Sequence, residues 1–156
     1  MHLDDFDVEI VRKMLQYLYH GELSSMSYLY IQEPTKEAVD AMLDAYTRLH
    51  AIADYLGMRS LKLQCIDSID QAFDREWHID KFITTTRTML TTTQDANAHR
   101  RLGNIAARYA GELMESGEFK SLDLPPAFTL EMIQSILQKN KAPSSTPTKR
   151  ARQRIS

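Results

Sequence analysis

The chain has 156 residues, of which 43% are hydrophobic and 26% charged, with a single cysteine, Cys65. A chain of this size buries roughly 68–70% of its unfolded surface, enough for a core of its own; one thiol cannot form an internal disulfide, and no apolar run approaches the roughly 18 residues that span a bilayer. The net charge of −2 conceals an asymmetry, because residues 139–156 carry +6 with no acid and residues 1–138 therefore carry −8. Such a body repels a phosphate backbone unless its bases cluster on one face, so affinity for nucleic acid is expected only in the tail.

The acidic start, Met1-His2-Leu3-Asp4-Asp5-Phe6-Asp7, lacks the basic and apolar segments of a signal peptide, so nucleus or cytoplasm is the expected location. His2 and Leu3 could close a short strand. Asp4, Asp5 and Asp7 put negative charge where a helix N-terminus favours it. Ile10, Met14 and Leu18, with Val11 and Leu15 beside them, form the apolar stripe of a helix predicted over 6–19, stopped by Gly21. A connector over 22–35 holds a candidate short strand at Tyr28-Leu29-Tyr30-Ile31, and Thr35 is a candidate N-cap.

Val39, Met42, Leu43, Tyr46, Leu49, His50, Ala53 and Leu56 predict a helix over 36–56, stopped by Gly57. Leu61, Cys65, Ile66, Ile69 and Phe73 predict the next, over 58–73. A helix over 78–90 follows, weakened by threonines at 84–86 and 91–93 whose β-branched side chains lose freedom in a helix. Asp95 is expected to cap a helix over 95–116 carrying Leu102, Ile105, Ala106, Tyr109, Leu113 and Met114. Gly103 and Gly111 lie inside it, eight residues apart on nearly one face, and are read as points of close helix–helix approach. Pro125-Pro126 forces a turn before a last helix over 127–138, and the tail 139–156 is expected to be disordered.

Two segments together carry a family likeness. Met14-Leu15-Gln16-Tyr17-Leu18-Tyr19-His20-Gly21-Glu22-Leu23 resembles the "L-x-Y-x-Y-x-G-x-L" segment of BTB/POZ domains, and Leu49-His50-Ala51-Ile52-Ala53-Asp54-Tyr55-Leu56-Gly57-Met58-Arg59-Ser60-Leu61-Lys62 resembles their "A-x-x-Y-x-hydrophobic-x-x-L" helix in its fungal form. The motif residues are Tyr17, Tyr19, Gly21, Ala53, Tyr55 and Leu61. The resemblance covers residues 1–73. Thr91-Thr92-Thr93-Gln94-Asp95 followed by Arg101-Leu102 is similar to the threonine-containing turn and helix of the extension in the fungal proteins.

The resemblance implies a mainly α chain: the C-terminal half of an α/β BTB/POZ fold with one or two short strands over 1–73, a helical extension over 77–138, and a basic tail over 139–156. It also implies a non-catalytic protein–protein interaction module whose partner is a second copy or a cullin scaffold, as in a ubiquitin-ligase adaptor. The family's opening strands and "His-Lys-x-x-Leu" hairpin, which supply much of its dimer and cullin surfaces, have no counterpart here. The stripes Ile10, Met14, Leu18 and Tyr46, Leu49, Ala53 are therefore expected to stay exposed and to drive self-association. Met14, Leu15, Leu18, Leu49, Ala53 and Leu61 are at the same time expected to share one core.

No residue pattern points to an enzyme, a cofactor, a metal site or a small-molecule substrate. His2, His20, His50, His78 and His99 form no i, i+4 pair and have no partner cysteine. His50 reads as a satisfied core histidine or a pH-neutral packing residue, Tyr17 and Tyr19 as packing residues with their hydroxyls at the rim, and Cys65 as a buried packing residue. No P-loop, nucleophile elbow or dinucleotide fingerprint occurs. Lys149, Arg150, Arg152 and Arg154 resemble a nuclear-import signal. An alternative reading is therefore a nuclear, nucleic-acid-associated factor that acts through the tail.

Overall fold

The computed structural model describes residues 7–21 and 35–141. The described chain is helical throughout, with α1 (Val8–His20), α2 (Lys36–Tyr55), α3 (Arg59–Arg75), α4 (Ile79–Thr92), α5 (Ala96–Arg108), α6 (Ala110–Glu115), α7 (Gly117–Lys120) and α8 (Pro126–Lys141). The described residues contain no strand. The expected strands at His2-Leu3 and Tyr28–Ile31, the acids Asp4 and Asp5, and the import-like residues Lys149, Arg150, Arg152 and Arg154 lie outside the described residues.

Local chemistry sets most helix ends. The Asp7 carboxylate accepts from Glu9 N at 2.9 Å, and Gly21 takes the left-handed conformation (φ 73°) that closes α1, its N–H donating to Tyr17 O at 2.7 Å. Thr35 caps α2, accepting from Ala38 N at 3.2 Å. Between α2 and α3 the chain turns at Gly57 (φ 68°), where Met58 N reaches back to Ala53 O at 2.8 Å. Pro126 occupies the first position of α8, where its missing N–H costs nothing.

The threonines do not break α4. Thr84, Thr88 and Thr92 donate their hydroxyls to the carbonyls four residues back, at 2.8 to 3.0 Å, so their polar groups are satisfied on the helix itself.

The predicted helix over 95–116 is in fact two. Tyr109 leaves helical geometry (φ −119°, ψ 25°), and α6 starts after it. Its ring stacks on Trp77 with centroids 3.7 Å apart and planes 5° from parallel, while its hydroxyl donates to Phe73 O at 3.2 Å. These tertiary contacts override the local helical pattern. Trp77 stands just before α4 and also meets Phe73 and Phe82. The aromatic chain continues from Phe82 through Phe119 to Phe128, joining α4, α7 and α8.

Gly103 is a point of close approach, since a Cβ there would be driven into the Phe128 carbonyl. Gly111 is not, for nothing lies near the corresponding position. At the C-terminal end, Lys139 and Lys141, assigned to the tail from sequence, belong to the last turn of α8, where cations suit the helix dipole.

One continuous core runs from α1 to α8. Tyr46, Leu49 and Ala53 are buried in it, contrary to the exposure expected of an incomplete fold, because α2 packs against both α3 and α4. Ile10 and Met14 are buried too, with α1 lying on α2. Leu15 and Leu18 are not core residues: they are 46% and 57% exposed, on a face of α1 turned away from α2.

Salt bridges stitch the helices outside the core. Arg101 meets Asp67 and Asp70, and Arg108 meets Asp70 and Asp74, between α5 and α3. Lys81 joins Asp44 across α4 and α2 at 2.8 Å.

Candidate functional site

The motif residues divide by role. Ala53 and Leu61 are fully buried where α2 meets α3, and Gly21 supplies the α1 cap. Tyr17 is partly buried against the core, Tyr19 is 85% exposed and Tyr55 is exposed. They do not converge on a site: Gly21, Ala53 and Leu61 serve architecture, Tyr17 packs at the edge of the core, and Tyr19 and Tyr55 face outward. Tyr19 thus departs from the packing role expected of it, because it lies on the α1 face that no described helix covers.

Polar chemistry gathers instead where α2, α3 and the α4–α5 turn meet. Asp54, from the last turn of α2, accepts from Lys62 Nζ at 2.9 Å and from the Thr93 hydroxyl at 2.6 Å. Lys62 also pairs with Asp95 at 3.3 Å. Asp95 caps α5, its other carboxylate oxygen accepting from Asn97 N at 3.0 Å, while its own N–H donates to Thr93 Oγ1 at 3.1 Å. His99 is buried, with ring Nε2 3.2 Å from Thr93 O.

His50 lies behind this network, 1% exposed, and its Nε2 has no hydrogen-bond partner. The nearest charge is Asp95 Oδ2 at 3.8 Å, beyond hydrogen-bond range. His50 is a core histidine, as expected, but not a satisfied one.

The electrostatics follow from this placement. Burial pulls the His50 pKa below its ordinary value, outweighing Asp95 and Asp54, which pull it up. Burial alone would raise the Asp54 carboxyl, yet the hydrogen bonds from Thr93 and Lys62 win and hold it below the usual range. Lys62 is raised, chiefly by its hydrogen bond to Asp54. Burial pushes the Cys65 thiol well up, which suits packing rather than nucleophilic chemistry.

An open pocket of about 420 Å³ lies over the network, lined by Gly57, Arg59, Lys62, Leu63, Asp95, Asn97 and Arg100. Among the described residues no group of three or more His, Cys, Asp or Glu side chains is placed to hold a metal ion. No described helix is long and apolar enough to cross a membrane.

A second surface feature is apolar. On α8, Phe128 and Met132 face the core, while Leu130, Ile133 and Leu137 point outward at 58%, 49% and 52% exposure. On α1, Val8, Leu15, Leu18 and Tyr19 form another exposed apolar face.

Sequence reasoning placed Asp95 at a helix N-terminus and His50 in the core, but gave no sign that Asp54, Lys62, Thr93 and His99 join them. The turn Thr93-Gln94-Asp95 was the available signal, because threonine and aspartate two residues apart favour side-chain to backbone bonds.

Comparison with known proteins yields no match to a protein-family model, to a curated protein or to a solved structure.

Proposed function

We propose that the chain is a non-catalytic protein–protein interaction module of the BTB/POZ type that pairs with a second copy of itself. The observation that carries this reading is the outer stripe of α8. Leu130, Ile133 and Leu137 follow i, i+3, i+7 spacing, each about half exposed, on a helix whose other face is anchored by Phe128 and Met132. That spacing is one seam of a helix–helix contact, with side chains able to interdigitate with a facing helix. Apolar side chains grouped on one helix face mark an interaction site more often than scattered ones do. An antiparallel pairing about Ile133 sets Leu130 of one copy beside Leu137 of the other.

The BTB/POZ likeness is supported by Gly21, which takes the left-handed cap its motif position calls for, and by Ala53 and Leu61, buried together between α2 and α3. The likeness adds a cullin-type scaffold as a further partner, and with it an adaptor role.

Sedimentation of the full chain tests the pairing. The expected result is a concentration-dependent dimer that becomes a monomer when Leu130, Ile133 and Leu137 are all changed to Gln, with the melting temperature of the monomer unchanged. A monomer at every concentration, or a dimer indifferent to the triple change, would overturn it.

The charge asymmetry favours a second reading, a nuclear factor whose basic tail binds nucleic acid. Changing Arg150, Arg152 and Arg154 to Gln should then abolish nuclear enrichment of a fluorescent fusion; continued enrichment would refute it.

A further inference from the structure

Every arginine in the described residues has a partner except two, and those two line the same pocket. Arg12, Arg48, Arg87, Arg101 and Arg108 form ion pairs, and Arg75 is engaged as well. Arg59 and Arg100 have no partner, and both border the opening of about 420 Å³ above the Asp54–Lys62–Asp95 network. Lys62 is the third cation of the lining, and the one acid, Asp95, is already committed to Lys62 and to the α5 cap.

Two helix N-termini meet at this opening. Arg59 begins α3, whose N-terminus has no side-chain cap and no acid in its first turn. Asn97 and Arg100 belong to the start of α5, whose N-terminus is already capped by the Asp95 carboxylate, which accepts from Asn97 N. The uncapped leading N–H groups and the dipole of α3 favour an anion at this place.

The cations of the lining are not equally free: Lys62 is held by Asp54 at 2.9 Å and by Asp95 at 3.3 Å, while the two arginines extend from the pocket walls with their guanidinium donors unspent.

We infer that the pocket between the N-terminal turns of α3 and α5 binds a phosphate group, gripped by Arg59 and Arg100 with Lys62 at its base. Guanidinium groups suit phosphate because their planar forks can make paired, charge-assisted hydrogen bonds. The volume exceeds what phosphate alone fills, and the half-exposed Leu63 offers an apolar wall to whatever carries it. This site is separate from the outer face of α8 and does not depend on self-pairing.

Calorimetric titration of the full chain with inorganic phosphate and with phosphoserine tests the inference. Saturable binding is expected, weakened at least about tenfold by Arg59→Gln and by Arg100→Gln, since a hydrogen bond to a charged group is lost in each. The same change at Arg87, which is paired with Glu118 on a different surface, should leave binding intact. Both pocket arginines are exposed, so melting temperatures should not move, and circular dichroism would confirm it. Tighter binding of phosphoserine assigns an ester as the ligand, and equal or weaker binding assigns the free anion. Absence of saturable binding up to about 10 mM of either probe, or binding that survives both arginine changes, would overturn the site.

Discussion

The backbone carbonyl of Phe128, in the first turn of α8, occupies the space in which Gly103 would carry a Cβ on α5. The two helices meet through backbone, and only glycine allows it. Gly103→Ala sets two effects in opposition. Alanine favours a helix interior by about 1 kcal/mol over glycine, but the added methyl must push α8 away, and overpacking costs about 1–3 kcal/mol or more. Backbone cannot step aside as a flexible side chain can, so a net loss of stability is expected. Gly111→Ala meets open space and should stabilise slightly. Urea melts of the two variants should shift in opposite directions; parallel shifts would refute the close approach.

The stack of Trp77 on Tyr109 makes a second prediction readable by fluorescence, because Trp77 is the one tryptophan of the chain. Tyr109→Phe keeps the stack and loses the hydroxyl's bond to Phe73 O, a cost of about 0.5–1.5 kcal/mol. Tyr109→Leu also removes the ring contact and should cost more, with a red-shifted Trp77 emission as water reaches the indole. Unchanged emission in the leucine variant would contradict the stack.

How far the sequence could be read depended on range. Helices with local signals were legible: the apolar stripes of α2 and α3, the caps at Thr35 and Asp95, and the stops at Gly21 and Gly57 all follow from neighbours in the chain. The division between α5 and α6 was not, since Tyr109 fits a helical stripe and is diverted by Trp77, which is distant in sequence. Periodicity also shows which residues share a face, but not how much of that face is covered. Leu15 and Leu18 share a stripe with Ile10 and Met14, yet α2 covers only the latter pair. The polar network over α2, α3 and the α4–α5 turn was invisible for a related reason: Asp54, Lys62 and Asp95 are ordinary charged residues until the fold places them within 2.9 and 3.3 Å of one another.

That contrast in coverage predicts unequal costs for two leucines. Leu49 is fully buried, so Leu49→Ala should lose about 2–5 kcal/mol through lost contacts and a residual cavity. Leu15 is about half exposed, and Leu15→Ala should stay within about 1 kcal/mol. Denaturant midpoints that rank the two in the opposite order would show that α1 is buried by its outer face.

The final prediction concerns His50 and acid. Burial lowers its pKa in the folded chain below the ordinary value of 6.5, so the unfolded chain takes up a proton first as pH falls. Stability is therefore fully present above pH 6.5 and declines as pH drops from there toward the folded pKa. Asp54 acts in a separate window: its folded pKa lies below 3.8, so its contribution holds above that value and fades only as pH falls further. Lys62 is shifted upward from 10.5 and matters only in alkali. Asp95, Asp54, Lys62 and His99 are the charged or titratable groups acting on the imidazole, and the two carboxylates partly offset the effect of burial. Replacing His50 with Leu removes the buried proton acceptor, and a plot of unfolding free energy against pH should flatten between about pH 6.5 and 5, whatever the change in absolute stability. The same plot for His50→Leu should still fall steeply below pH 4, where Asp54 titrates. If the variant and the parent chain run parallel between pH 6.5 and 5, His50 takes up its proton equally in the folded and unfolded chains, and burial does not lower its pKa.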